Sequence, residues 1–245
     1  MSSIFRFKRF EVCNERSSMK VNTDGVLLGA AMGLEASDRR LLDVGTGTGT
    51  IALMAAQRLF DLGADCLIDA IDIDEASAEE AAENFATSPW PGMLRASHLS
   101  LEEFAAACSD SFNLIFSNPP YFDDSLKNPD ARKSTARHSL SLSYRELIAF
   151  AADRLTPDGR LAMVLPSDCE QAMLRHARMF SLFPRRILRV RTVERKAPIR
   201  IIVELGRERV DCREELLTIH EKERYSEEYL SLTDGFLSLR KQTSD

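Results

Sequence analysis

No part of the chain approaches the roughly 18 to 20 consecutive apolar residues that a membrane-spanning helix requires. The opening MSSIFRFKRFEV also lacks the apolar centre of a secretory signal. Membrane insertion and export are therefore not expected, and a soluble cytoplasmic protein is. Paired cysteines are missing too: Cys13, Cys66, Cys108, Cys169 and Cys212 are odd in number and scattered, with no C-x-x-C among them. That pattern argues against a disulfide framework, a zinc site or a dithiol redox centre, and for reduced thiols. His98, His138, His176 and His220 are equally dispersed, so no metal site is expected. Nor is there a surplus of positive charge, since 32 Lys and Arg face 38 Asp and Glu for a net charge of -6. Taken alone, this argues mildly against a polyanionic partner. No internal repeat, low-complexity tract or linker interrupts the chain.

What is present is enough apolar material for one large core: 44% of the 245 residues are hydrophobic and 29% charged. From Arg40 onward short apolar runs alternate with helical patterns. RLLDV precedes GTIALMAAQRL, CLIDAIDI precedes EASAEEAAENFA, FNLIFS precedes YRELIAFAADRL, and GRLAMVLP precedes DCEQAMLRHARMF. Such alternation predicts an α/β fold with a mostly parallel sheet covered by helices on both faces. RRILRVRTV and IRIIVELG, joined by a short connection containing Pro198, read as an antiparallel hairpin at the sheet edge. Residues 1–35 read as a strand (FRFKRFEV) and a helix starting near Asp24, packed on the core, and Ser226 to Leu239 as a short amphipathic packing helix. A single domain spanning 1–245 is expected.

LLDVGTGTGTIAL sets Gly45, Gly47 and Gly49 between a buried strand and a helix, where backbone approaches a ligand at the carboxyl edge of a sheet. The dinucleotide spacing G-x-G-x-x-G fails, because counting from Gly45 its third glycine falls on Thr50. Asp43 also stands immediately before the loop, where a carboxylate would repel a pyrophosphate and suit a cationic ligand. The second strand ends IDAIDID, and its Asp72 falls where doubly wound folds chelate a ribose diol. A ligand carrying adenosine and a positive charge near the glycines points to S-adenosylmethionine.

A second constellation is FNLIFSNPPYFDDS. Two prolines cannot donate to a strand ladder, so Pro119 and Pro120 end the strand, keep the chain extended and fix the carbonyls of Asn118 and Pro119. A stiff tip carrying an amide and a phenol can grip a flat group, although an ordinary turn would have the same composition.

The order LDVGTGTG, Asp72, then SNPPY after a fourth strand resembles the class I S-adenosylmethionine-dependent methyltransferases, in the N-P-P-Y branch that methylates planar amines. More narrowly, MKVNTDGVLLGAAM, TARHSLS and YSEEYLSLTDGF resemble the bacterial tRNA1(Val) adenine-N6-methyltransferase family, and the likeness covers most of the chain. It implies a Rossmann-like class I methyltransferase fold with a seven-stranded sheet. It also implies transfer from S-adenosylmethionine to the N6 amine of an adenine in the tRNA anticodon loop, nucleotide 37 of a valine tRNA, by a monomer.

Carried over by position, Thr23 and Asp24 would close over the methionine end of the cofactor, and Asp43 and Gly45 would face its amino acid portion. Asp72 would hold its ribose, with Gly47, Gly49 and Ile73 also in contact. The chain departs from the family after the third strand. Where such enzymes often carry an acid for the adenine amine, RASHLSLEEF offers Ser100, with Glu102 and Glu103 nearby, or the backbone amide of Leu101. The resemblance makes Asn118, Pro119, Pro120 and Tyr121 the catalytic set. The Asn118 side-chain oxygen and the Pro119 carbonyl would each accept an amine hydrogen, freeing a lone pair otherwise delocalised into the ring, while Tyr121 stacks on the base.

For the substrate, Phe122 is either a base contact or simple packing, and the loop holding Lys133 and Arg137 reads as an RNA-contacting or gating segment. Between Arg185 and Arg200 seven basic residues meet one acid, Glu194. The run, with Arg195 and Lys196 in it, is either a solvated strand and loop or a basic face for tRNA on an acidic body. Competing readings share the core. A glutamine N5-methyltransferase acting on release factors would carry a helical recognition domain ahead of the glycine loop, where only about 40 residues stand. A DNA adenine methyltransferase would need a target-recognition domain. An rRNA adenine or guanine amine methyltransferase remains open, and a non-catalytic module would have no use for all of Asn118 to Tyr121.

Overall fold

Strands buried on both faces set the architecture of the computed structural model, which describes residues 3–120 and 142–239. The central runs are β3 (Arg40–Val44), β6 (Phe112–Ser117) and β7 (Leu155–Pro166), mostly buried apart from the opening residues of β7, as expected where helices cover both sides of a sheet. They are joined by β4 (Leu67–Asp72), β5 (Leu94–His98), β8 (Phe183–Val193), β9 (Arg200–Gly206), β10 (Arg213–Glu221) and β11 (Arg224–Tyr225). The sheet order is β11-β10-β8-β9-β7-β6-β3-β4-β5. The helices are α1 (Thr23–Ala31), α2 (Thr50–Asp61), α3 (Glu75–Thr87), α4 (Leu101–Ala107), α5 (Tyr144–Arg154), α6 (Glu170–Met179) and α7 (Glu227–Thr233). One face of the sheet packs with α1, α2, α3 and α7, through residues such as Leu28, Leu53, Phe85 and Tyr229. The other packs with α4, α5 and α6, through Phe104, Leu147, Ile148 and Met173. No helix among the described residues is long and apolar enough to cross a membrane.

The seven expected strands are present as β5-β4-β3-β6-β7-β9-β8, with β9 antiparallel to both β7 and β8. The hairpin is not the sheet edge, however. β10 pairs in parallel with β8, setting Leu216 opposite Arg189 and Thr218 opposite Arg191, and β11 turns back on β10. Leu217 and Ile219 of β10 enter the same core cluster as Leu188 and Val190 of β8. Its leading acids engage the arginines of β8: Glu215 binds Arg186 at 3.0 Å and Glu214 binds Arg189 at 2.6 Å.

The N-terminal strand is also two strands, β1 (Ile4–Arg6) and β2 (Glu11–Cys13), paired antiparallel. Phe7 and Phe10 flank the turn, stack at 4.5 Å between ring centroids, and turn into the core beside Trp90, which requires the chain to reverse at Lys8 and Arg9. The last helix, α7, stops at Thr233. There the backbone folds back, with Phe236 N–H donating to the Thr233 carbonyl and Gln57 donating to the Gly235 carbonyl, both at 2.9 Å.

Candidate active site

The carboxyl ends of β3, β4, β5 and β6 converge where the strand order reverses, with β4 on one side of β3 and β6 on the other. This is where open α/β sheets bind ligands. A cavity of about 710 Å³ lies there, walled by Val44, Gly45 and Gly47 after β3, Ile71 to Asp74 after β4, Leu99 to Glu102 and Ala105 after β5, and Asn118 and Pro120 after β6. Ser18 and Met19, ahead of α1, and Leu142, Glu146, Phe150 and Asp153, on or beside α5, complete it.

The glycine loop is tied to the neighbouring strand, since Gly45 and Thr46 both donate backbone N–H groups to the Ile71 carbonyl, at 2.9 and 3.0 Å. Its three glycines all have positive φ, between 56° and 79°, a conformation other residues adopt only with strain, but they serve different ends. A Cβ on Gly45 would project toward Leu142 of the cavity wall, 3.9 Å away, and one on Gly47 would come within 3.4 Å of Ser17 Oγ. At Gly49 a Cβ would lie 2.4 Å from the Phe85 ring, so this glycine allows α2 to start against α3 and does not line the cavity.

Asp72 lines the cavity with its carboxylate already anchored. Oδ2 accepts from Gly47 N–H at 2.8 Å and Oδ1 from Asp74 N–H at 2.9 Å. A carboxylate offers about four lone-pair sites, so two remain for hydroxyl donors. Burial pushes its acidity down, that is, raises its pKa, and the two backbone donors oppose this. Ile73 is 45% exposed beside it, offering an apolar surface to a flat ring. Ser100 and Leu101 stand across the cavity. The Ser100 N–H and hydroxyl both donate to Glu103 in a capping box that starts α4, which leaves the first-turn amide of Leu101 as one of the helix donors without an intrahelical partner.

Asp43 is fully buried beneath the loop and is not part of the cavity wall. Thr46 Oγ1 donates to its Oδ2 at 2.8 Å, and Oδ1 has no hydrogen-bond partner among the described residues. Burial, with Asp72 nearby adding to it, pushes the Asp43 carboxyl up to about 7. Thr23 is exposed at the start of α1 and Asp24 bonds Arg200 at 2.8 Å; neither lines the cavity. Asn118 is 6% exposed and does line it, together with Pro120, while Pro119 is buried behind them. Tyr121, Phe122, Lys133 and Arg137 lie outside the described residues.

The basic run resolves into internal pairs. Arg186 binds Glu204 and Glu215, Arg189 binds Glu170 and Glu214, Arg200 binds Asp24, and Arg191 donates to Thr218. Of the two readings of the run, a solvated strand and loop or a basic face for tRNA, these pairs leave little charge for a broad basic face. Arg195 and Lys196 alone of the run are exposed without a carboxylate partner among the described residues, in the turn after β8. Because β8 runs parallel to β7 and β6, that turn is on the same sheet edge as Asn118.

The stretch MKVNTDGVLLGAAM begins at Met19, but nothing in the sequence placed Ser18 or Met19 at the cavity. The α5 wall had a signal, since Glu146, Phe150 and Asp153 are spaced i, i+4, i+7 along one helix face.

The methyltransferase small domain model matches residues 17–184. A Bacteroides fragilis protein named tRNA1(Val) (adenine(37)-N6)-methyltransferase is 41% identical over 237 residues, covering 95% of this chain and 96% of its own. Among solved structures, Atu636 of Agrobacterium tumefaciens, described as a predicted O-methyltransferase, superposes with a TM-score of 0.61 at 16% identity, covering 87% of this chain and 96% of that one. The ribosomal protein L11 methylase of Lactobacillus delbrueckii subsp. bulgaricus does so with a TM-score of 0.53 at 19% identity, covering 84% and 99%. These two likenesses show the fold. With the family model matching more than half of its length and the relative matching nearly all of it, the chain belongs to the methyltransferase small domain family and, within it, to the tRNA1(Val) (adenine(37)-N6)-methyltransferases.

Proposed function

We propose that this chain methylates the N6 amine of adenine 37 in tRNA1(Val), the reaction its relatives are named for. It acts as a cytoplasmic monomer in which residues 1–245 make one methyltransferase domain. Inclusion of Phe7, Phe10 and Val12 in the core cluster of α1 and α2 supports the single domain. S-adenosylmethionine, when bound, would supply a methyl group activated by its sulfonium, the S–CH3 bond breaking as the N–C bond forms and its electron pair returning to sulfur to leave S-adenosylhomocysteine. The observation that carries the reading is that Asn118 lines the same cavity as Gly45, Gly47 and Asp72, which supports an amide acceptor beside a chamber for adenosine.

Asp72 would take the ribose hydroxyls on its remaining lone pairs. Gly45 and Gly47 would admit the amino acid portion against bare backbone, and Ile73 and Phe150, both on the cavity wall, would flank the adenine. Asn118 Oδ1 and the Pro119 carbonyl accept the two hydrogens of the target amine, drawing nitrogen toward a tetrahedral shape with its lone pair free. The amine becomes acidic only after the new N–C bond has formed, so its proton passes to water and no strong base is needed. Tyr121 stacks on the unstacked base, an interaction worth about 1 to 3 kcal/mol. Arg195 and Lys196 meet tRNA phosphates at the rim.

The test is transfer of label from S-adenosylmethionine to separate tRNA, rRNA, DNA and release-factor pools, followed by transfer to tRNA1(Val) with adenine or guanine at the target position. Label confined to adenine-bearing tRNA is expected, with Asn118→Ala slowing single turnover about 100-fold or more. Label on release factor or rRNA would overturn the substrate. Full turnover by Asn118→Ala would overturn the acceptor role.

A further inference from the structure

Met19 reaches the cavity on a segment fixed by buried groups. Glu80 of α3 is 0% exposed, and its carboxylate accepts three successive backbone N–H groups, from Glu15 at 2.7 Å, Arg16 at 2.8 Å and Ser17 at 3.0 Å. Burial opposes the charge on Glu80, and these donors outweigh it, holding the carboxyl below its usual range. One turn along α3, Asn84 closes on both the N–H and the carbonyl of Cys13, at 2.8 and 3.0 Å. Ser17 Oγ then donates to the Met19 carbonyl at 3.1 Å. The backbone of Met19 is thus held from α3, although the residue is 39% exposed and stands outside both core clusters.

At the far end of that side chain, Asn118 Nδ2 donates to Met19 Sδ at 3.6 Å. A thioether carries lone pairs and no hydrogen, so it accepts from the amino end of an amide and repels the carbonyl end. The two ends of an asparagine amide have nearly the same shape and opposite hydrogen-bonding character, and only one of them can accept an amine hydrogen. We propose that Met19 is a positioning residue that selects which end of the Asn118 amide faces the target amine, holding the amino end on sulfur so that the carbonyl end serves as the acceptor. With the amide reversed, two donors would face each other and the amine lone pair would stay in the ring. The inference rests on the acceptor role of Asn118.

Met19→Leu keeps the length and apolar character of the side chain and removes the acceptor. Its single-turnover rate is expected to fall about three- to tenfold, the range for losing one weak hydrogen bond, with the dissociation constants for S-adenosylmethionine and tRNA unchanged within about twofold. Asn118→Asp supplies the readout that packing alone would not move, because a carboxylate presents oxygen at both ends and needs no selection. Placed in that variant, Met19→Leu should cause no further loss. An unchanged rate for Met19→Leu in the natural background, or the same loss in both backgrounds, overturns the proposal. If Asn118→Ala itself turns over normally, the acceptor reading falls first; if Asn118→Ala is slow and Met19→Leu is normal, only the role of Met19 falls.

Discussion

The hydroxyl of Ser117 donates to the carbonyl of Val44 at 2.7 Å, both residues being buried at the ends of adjacent parallel strands. Ser117 immediately precedes Asn118, and Val44 immediately precedes Gly45. One bond therefore joins the root of the Asn118 loop to the root of the glycine loop, beyond the last rung of the β3–β6 ladder, which pairs Asp43 with Phe116.

Ser117→Ala should lower stability by about 1 to 3 kcal/mol, since the Val44 carbonyl is left buried and unpaired. Urea unfolding measures the loss. Slower turnover at saturating cofactor should accompany it, because the two loops lose their common reference. A variant of unchanged stability and rate would show that the ladder alone sets their spacing.

Asp72→Ala removes the anchor of Gly47 and Asp74 as well as the proposed ribose acceptor. Cofactor affinity should weaken at least about tenfold, the effect of losing roughly 1.5 kcal/mol or more. Calorimetric titration of the folded variant checks this, and equal affinity would move the ribose elsewhere.

Asp43→Asn should stabilise the ligand-free protein at alkaline pH. The Asp43 carboxyl stands at about 7 in the fold against 3.8 when unfolded, so the folded state holds the proton more tightly. Stability from this group is present below pH 4 and lost as pH rises toward 7. At about 1.4 kcal/mol per pH unit the loss reaches on the order of 4 kcal/mol. Asparagine never ionises, so the gain should vanish near pH 4 and be full above about pH 7. Thermal denaturation across that range checks it, and a difference independent of pH would contradict it.

Replacing Arg195 and Lys196 by alanine should flatten the salt dependence of tRNA binding, by roughly 0.7 to 0.9 in log–log slope for each phosphate that is no longer neutralised. Cofactor affinity should stay as it was. An unchanged slope would place the phosphate-binding groups on another surface.

The parallel core was legible because its strands are continuous apolar runs punctuated by glycine and proline, as at LLDVGTG and FNLIFSNPP. Asp72 was legible as an acid at the carboxyl end of a strand beside the switch point, where open α/β sheets bind ligands, and it does line the cavity. β10 was not legible. REELLTIHE opens with charges that look solvated, and only the register beside β8 shows them pairing with arginines that also looked solvated. Two runs of opposite charge, read apart as surface, are one cross-strand network. Ser18 and Met19 were hidden for another reason: their place depends on Glu80, 61 positions or more away in sequence, and no local pattern encodes a long-range carboxylate-to-backbone clamp.

Lys8 and Asp234 form an ion pair at 3.0 Å across 226 positions of sequence, and the Lys8 N–H donates to the Phe236 carbonyl at 2.8 Å. The β1–β2 hairpin, which leads directly into the segment carrying Met19, is therefore seated partly on residues that leave the ribosome more than 200 steps after it. A nascent chain carries the glycine loop and Asp72 long before that part of the seat exists. The last contacts of the hairpin accordingly form only when synthesis has passed Phe236, after every strand whose end lines the cavity has been made.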